Sequence, residues 1–398
     1  MTETEEKMRK NFYTTPITLL ILTLNIAATI VVINNSELLI GDLMGFKSET
    51  VVIIQSLIYI SLSLLFLSVL YNGLEKIKPL TTKLADSNSR PIAIFLICLE
   101  LLYITYVFNT GLFVAGNNER GGGVISALFV LLNVDVLVLI FLTHVKTSKY
   151  KPIIIMLWII SFLQRGWISY FFILILISFI DRRLKNKKNW KAGVVLICFI
   201  LALPFVEQIK NSIRSGEAIS TQLTFFDYAD SFNQQFMKVV GRVQTVSHVA
   251  FITDNINQLQ NLKNNGESTD FFEENFIYII AKKLGSADDK INTPDLLARY
   301  ISPSLDSSWN VNPSLIGWIF IQNDLYVLPI IWVVLLCFLF TMLSKIIAND
   351  LYAMNMRWLF WLVFLFPGWI FQFTAVIFSL LVFILLKYTL RTKRVKPL

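Results

Sequence analysis

Two histidines, three cysteines and 16% charged residues in a chain of 398 leave little material for metal or thiol chemistry. No H-E-x-x-H, glycine-rich phosphate loop or Cys-His nucleophile spacing occurs, so no metal or cofactor is expected. Cys98, Cys198 and Cys337 all fall in apolar segments, which argues against a disulfide framework. Internal repeats of 20–50 residues and low-complexity tracts are also missing, which excludes solenoids and arrays. The net charge of +8 invites a nucleic-acid partner, but the basic residues lie in loops flanking apolar segments. That distribution is the positive-inside bias of membrane proteins and requires no nucleic acid.

What the chain has in quantity is apolar surface: 55% hydrophobic residues, 32 Phe and a mean hydropathy of +0.62. Crossing a bilayer takes roughly 20 apolar residues, and segments of this kind lie near 16–34, 50–71, 92–114, 123–144, 192–208 and 326–346. The charged start "MTETEEKMRK" precedes the first of them, and no small-residue cleavage site follows it. The segment therefore reads as a membrane helix and not as a removed signal peptide.

Two apolar stretches, 152–180 and 354–387, need a different reading. The second is too long for one span and is interrupted at Pro367-Gly368, which predicts a hairpin. The first contains Gln164-Arg165-Gly166 at its centre. As one helix it would put the lysine-rich loops "VKTSKYK" and "DRRLKNKKNWK" on opposite sides of the membrane. Two short helices turning at 164–166 keep both loops inside, as the positive-inside rule requires.

The result is an all-α polytopic membrane protein of about ten transmembrane helices, with both termini cytoplasmic and one large helical extracytoplasmic loop. Inner loops and tails then carry 23 Lys and Arg, against Lys47, Arg120 and Arg165 in the short outer loops. Three regions follow: an N-terminal bundle of about seven spans over 1–208, an outer segment over 209–325, and a C-terminal bundle over 326–398. The last holds about three spans and a basic tail. Helices of about 13 residues reach only about 20 Å, so Arg165 falls below the outer surface. At that depth it must face water or a counter-ion, which implies an outward-opening cavity.

Amphipathic helices are expected at 225–251 and 269–285, lying along the membrane and roofing that cavity. Arg120, Arg165, Arg214, Arg242 and Arg299 all lie on the outward side, where no pressure favours positive charge. A guanidinium fork suits bidentate binding of phosphate; pairing with nearby acids or lipid headgroups is the alternative for each. His248 is a candidate general base, although a lone helical histidine is more commonly packed. It follows Arg242 by six residues, which on one helix is about 240° of rotation and a different face. Glu100 and Asp135 sit within consecutive antiparallel spans at matching distances from the cytoplasmic ends. Such carboxylates point either to proton coupling or to a protonated pair joining two helices.

The ten-span layout, the large outer loop late in the chain and the arginines at outer turns resemble the Wzy-type O-antigen polymerases. These are oligosaccharide repeat unit polymerases related to the O-antigen ligases. "LQRGWISYFF" is similar to the family's arginine-containing turn, and "NVNPSLIGWIF" to the stretch ending its outer loop. Trp318 follows Gly317 where related sequences often carry an acid, and no R-x10-G pattern follows any of the five arginines. The resemblance implies a metal-independent glycosyltransferase of the bacterial inner membrane, acting in O-antigen (lipopolysaccharide) or capsular polysaccharide biosynthesis. It would move a glycan from undecaprenyl pyrophosphate onto a lipid-linked repeat unit. Arg165 and Arg242 would act with His248 as catalytic residues, and all five arginines would bind the pyrophosphate. Phe225, Phe226, Tyr228 and Trp309 would stack on sugar. Membrane lipids and a chain-length regulator are the further partners implied. An O-antigen ligase is the nearest alternative, and a lipid-linked oligosaccharide flippase or other transporter is the next.

Overall fold

The computed structural model describes residues 3–35, 37–40, 43–79, 89–114, 124–166, 169–184, 190–202, 204–205, 208, 225–283, 290–302, 311–322 and 326–390. Among these residues the architecture is all-α apart from one small hairpin, and six helices are long and apolar enough to cross a membrane. Their apolar parts are Ile17–Asn35, Thr50–Glu75, Arg90–Thr110, Val124–His144, Val327–Ile347 and Ile370–Thr389. This is a helical membrane protein.

The chain opens with α1 (Glu3–Asn35), whose helix begins well before the apolar run, and α2 (Thr50–Glu75) follows. Along α2, Ile53, Ile60, Leu64 and Leu67 are buried while Ile54, Ile58, Leu62, Leu65 and Val69 are exposed. A helix apolar on both faces in this way is stable only if lipid covers its outer side. Phe108, 80% exposed on α3 (Arg90–Thr110), and Val124, 87% exposed on α4 (Val124–Leu132), belong to the same lipid-facing surface. Pro91 starts α3 and Gly111 ends it at φ +64°, a backbone angle that glycine adopts without strain. The fourth apolar segment is bent, because Asn133 at φ +41° separates α4 from α5 (Val134–His144).

Then come α6 (Lys151–Gln164) and α7 (Ser169–Leu184). Twelve residues of continuous helix would separate Trp158 and Tyr170 by about 18 Å, yet their ring centroids are 5.1 Å apart. Phe162 and Phe171 also meet, at 4.7 Å. The chain therefore doubles back at Arg165-Gly166, where Gly166 takes φ +70°, and the hairpin reading holds. α8 (Trp190–Leu201) packs on α7.

The outer segment departs from expectation. In place of one helix over 225–251 there are two, α9 (Phe225–Val243) and α10 (Val246–Asp254). The break has a tertiary cause. Thr245 N donates to Asn25 Oδ1 at 2.9 Å, and Gln244 Nε2 donates to Leu39 O at 2.6 Å. Leu39 belongs to an antiparallel hairpin of β1 (Leu38–Ile40) and β2 (Leu43–Phe46) that no expectation included. From Val246 to Ile252 every residue of α10 is buried, against α2 and α1. This part of the outer segment is thus core and not a surface-lying amphipathic helix.

Short helices α11 (Ile256–Asn264), α12 (Phe276–Lys283), α13 (Thr293–Ile301) and α14 (Leu315–Gln322) complete the segment. Residues 271–275 form turns, which corrects the helix expected over 269–285. The chain ends with α15 (Val327–Ile347), α16 (Leu351–Phe360) continued by a π-helical turn at Trp361–Leu365, and α17 (Ile370–Thr389). The second hairpin turns at 366–369, as Pro367-Gly368 predicts.

Candidate buried charge centre

Arg165 ends α6, and its side chain is enclosed, 1% exposed, among α3, α5 and α6. Its fork meets Asp135 bidentately: Nη1 donates to Oδ2 at 2.7 Å and Nη2 to Oδ1 at 2.6 Å. Nε donates to Ser161 O at 3.0 Å, Nη2 to Ser161 Oγ at 3.3 Å and Nη1 to Tyr103 Oη at 3.3 Å. The guanidinium also lies 5.0 Å from the centroid of the Tyr103 ring. Trp158 Nε1 adds a third donor to the acid, 2.9 Å from Asp135 Oδ1. Of the two ways a deep arginine can be accommodated, the structure uses the counter-ion.

Local sequence explains the arrangement. Ser161 precedes Arg165 by four residues on one helical face, so its carbonyl lies in reach of Nε. Asp135 comes two residues after the α4–α5 bend, which directs it inward. Glu100, on the buried face of α3, is 0% exposed and completes the cluster, with Asp135, Arg165 and Ser161 as its polar neighbours. Its two carboxyl oxygens have no hydrogen-bond partner among the described residues. Glu100 and Asp135 thus come together, and Arg165 joins them.

The other sequence candidates lie elsewhere. Arg242 is exposed in the last turn of α9, and Arg299 is exposed on α13. Arg120 and Arg214 fall outside the described residues, as does Trp309. Tyr228 lies on α9 and donates to Leu201 O. His248 is 1% exposed on α10, so it is a core residue and not a ring presented to a substrate. Burial lowers its pKa from 6.5 to about 4, which keeps the ring neutral. Arg165, Arg242 and His248 thus sit on three different elements, at the end of α6, in the last turn of α9 and within α10.

Two further polar centres were not anticipated. Glu274 is buried in the outer segment, where Trp318 Nε1 donates to Oε2 at 2.7 Å and Thr293 N to Oε1 at 2.5 Å. The Thr293 hydroxyl donates as well, and Gln322 Nε2 lies 3.4 Å from Oε1. Burial raises the Glu274 pKa, against the opposing pull of these donors. The tryptophan that stands where an acid is common in the resembled family is therefore tied to an acid from elsewhere in the chain.

At the end of the bundle where α2 finishes, Arg357 donates to Glu75 through Nε at 2.6 Å and Nη2 at 2.8 Å. Lys345 Nζ bonds the carbonyls of Leu74, Glu75 and Ile77 at 2.8–3.0 Å. Lys387 Nζ reaches Ile347 O at 3.3 Å, and Lys151 Nζ reaches Leu142 O at 3.1 Å. Each lysine caps a helix C-terminus, where the last carbonyls and the helix dipole favour a cation.

The stretch "NVNPSLIGWIF" docks on the second hairpin. Ser314 N donates to Pro367 O at 2.9 Å, Leu315 N to Phe366 O at 2.8 Å, and Trp369 Nε1 to Asn312 Oδ1. Among the described residues no group of three His, Cys, Asp or Glu could hold a metal. The chain matches no protein-family model, no curated protein and no solved structure.

Proposed function

We propose that this chain is a glycan polymerase of the bacterial inner membrane, with ten spans and both termini cytoplasmic. It transfers a glycan from undecaprenyl pyrophosphate onto a lipid-linked repeat unit at the periplasmic face. The observation that carries the reading is the pair of short hairpins, turning at 165–166 and 366–369, with the "NVNPSL" stretch bonded to the second turn. Helix α6 has 14 residues and rises about 21 Å, so its turn lies short of a 30 Å hydrocarbon core. A turn at that depth suits a substrate that enters from the bilayer and reacts at its outer edge.

In the reaction, an acceptor sugar hydroxyl attacks the anomeric carbon of the donor glycan. The bond from that carbon to the pyrophosphate oxygen breaks, the electron pair leaves with the pyrophosphate, and the hydroxyl proton goes to a base. Charge developing on the leaving group calls for fixed cations in a low-dielectric setting. With its fork on Asp135, Arg165 serves here as a positioning residue for the first hairpin. The exposed Arg242 and Arg299 are the described cations for the pyrophosphate, with Arg120 and Arg214 as sequence candidates beside them. His248 is enclosed and is not the base in this reading.

The test uses purified protein and the undecaprenyl-pyrophosphate-linked repeat unit of the native strain, with products resolved on a gel. A ladder from wild type, shortened or lost in Arg242→Ala and Arg299→Ala, is the expected result. Absence of any ladder from folded protein overturns polymerisation, and transfer to lipid A-core alone would make the enzyme a ligase. A transport reading is the second, favoured by the Glu100 carboxyl group held without a donor. Movement of intact lipid-linked oligosaccharide across proteoliposomes would establish it.

A further inference from the structure

We infer that Glu100 is a proton-binding site in the membrane interior, holding a proton beside the Asp135–Arg165 pair. Three ionisable side chains meet there, with one cation between two acids. Asp135 takes both arms of the guanidinium and the Trp158 N–H, while Ser161 and Tyr103 take three more of the Arg165 contacts. That leaves Glu100 facing Asp135 across from α5, Ser161 and Arg165 from α6, and Tyr103 on its own helix, with Tyr170 of α7 near the pair. The Ser161 hydroxyl lies close by but outside hydrogen-bonding geometry.

An ionised carboxylate with no donor, in a site closed to water, is among the costliest groups a protein can bury. The cluster has one positive charge and that charge is already matched, so a second anion would be uncompensated. A proton on Glu100 removes the imbalance without any new partner. Its loss would set two carboxylates in competition for one guanidinium, and Arg165 forms the turn between α6 and α7. Proton exchange at Glu100 is thereby coupled to that turn. The site stands whether or not the glycan reading holds, since it rests on the charge count and geometry alone.

The experiment is an infrared difference spectrum of purified full-length protein in detergent at neutral pH, wild type minus Glu100→Gln, in H2O and D2O. The expected difference is a protonated-acid carbonyl band with its deuterium shift. Carboxylate stretches in its place overturn the inference. If Glu100→Gln does not fold, Glu274→Gln protein labelled with 13C at glutamate carboxyl groups puts the same question to an intact Glu100. An isotope-shifted protonated-acid band supports the site, and labelled carboxylate bands alone overturn it. Neither readout depends on glycan transfer, so failure of one reading leaves the other to be judged separately.

Discussion

A Cβ placed on Gly368 would stand 2.5 Å from Ser314 O, and Gly368 itself turns at φ +81°. The backbone of the outer segment therefore passes the second hairpin at a separation that only glycine permits. Gly368→Ala is expected to lose about 2–5 kcal/mol through left-handed strain and the clash together. Gly266, at φ +82° with nothing within 4 Å of its Cβ position, serves as the comparison. There alanine should cost only about 1–2 kcal/mol. Thermal unfolding in detergent ranks the two, and equal shifts would refute the packing argument.

The Asp135–Arg165 pair predicts a non-additive cycle. Arg165→Met alone leaves the buried Asp135 charge without its partner, at a cost of about 3–5 kcal/mol. The double variant Asp135→Leu/Arg165→Met should recover most of that loss, because no unpaired ion remains. Unfolding midpoints of the four proteins decide it. Additive losses would mean that the two side chains do not sense each other.

Glu75 balances two buried cations, Arg357 and Lys345. Glu75→Gln keeps the shape of the side chain and removes the charge, so both cations lose compensation. A loss of about 3–5 kcal/mol is expected, and Lys345→Met added to it should restore part of the stability. A thermal midpoint unchanged in Glu75→Gln would show that the carbonyl contacts of Lys345 suffice.

His248 makes a prediction about acid. Its folded pKa, about 4, lies below the unfolded 6.5 because burial disfavours the charged ring. The unfolded chain binds a proton first, so stability is fully present above pH 6.5 and falls as the pH drops toward 4. The shift corresponds to about 3 kcal/mol at its limit. In His248→Gln the difference between unfolding midpoints at pH 7 and pH 4.5 should shrink. An identical acid response in both proteins would remove His248 as its source.

Much of the fold is legible in the sequence because lipid imposes a coarse rule, and length of apolar run is all that rule needs. The hairpin at 164–166 follows from lysines that lie outside it, at 146–151 and 185–191. The β1–β2 hairpin leaves only one local trace, Gly41-Asp42 between apolar residues. The break at Gln244-Thr245 leaves none, since its causes, Asn25 and Leu39, lie 220 and 205 residues away.

The charge centre divides in the same way. Counting residues from the inner helix ends brings Glu100 and Asp135 to one depth, and the short hairpin brings Arg165 near them. Which acid takes the guanidinium depends on the bend at Asn133 and on Trp158, and neither periodicity nor composition reports those. The sequence leaves His248 either a base or a packed ring, because one amphipathic helix over 225–251 does not say which face it takes. Once α10 is a separate core helix, the ring turns inward.

Lys151, Lys345 and Lys387 each close a helix C-terminus by grasping its carbonyls. They also belong to the basic loops from which the orientation of the chain is read. The same letters thus serve twice: charges that mark a loop as inner when the sequence is read are, in the fold, clasps on the ends of finished helices.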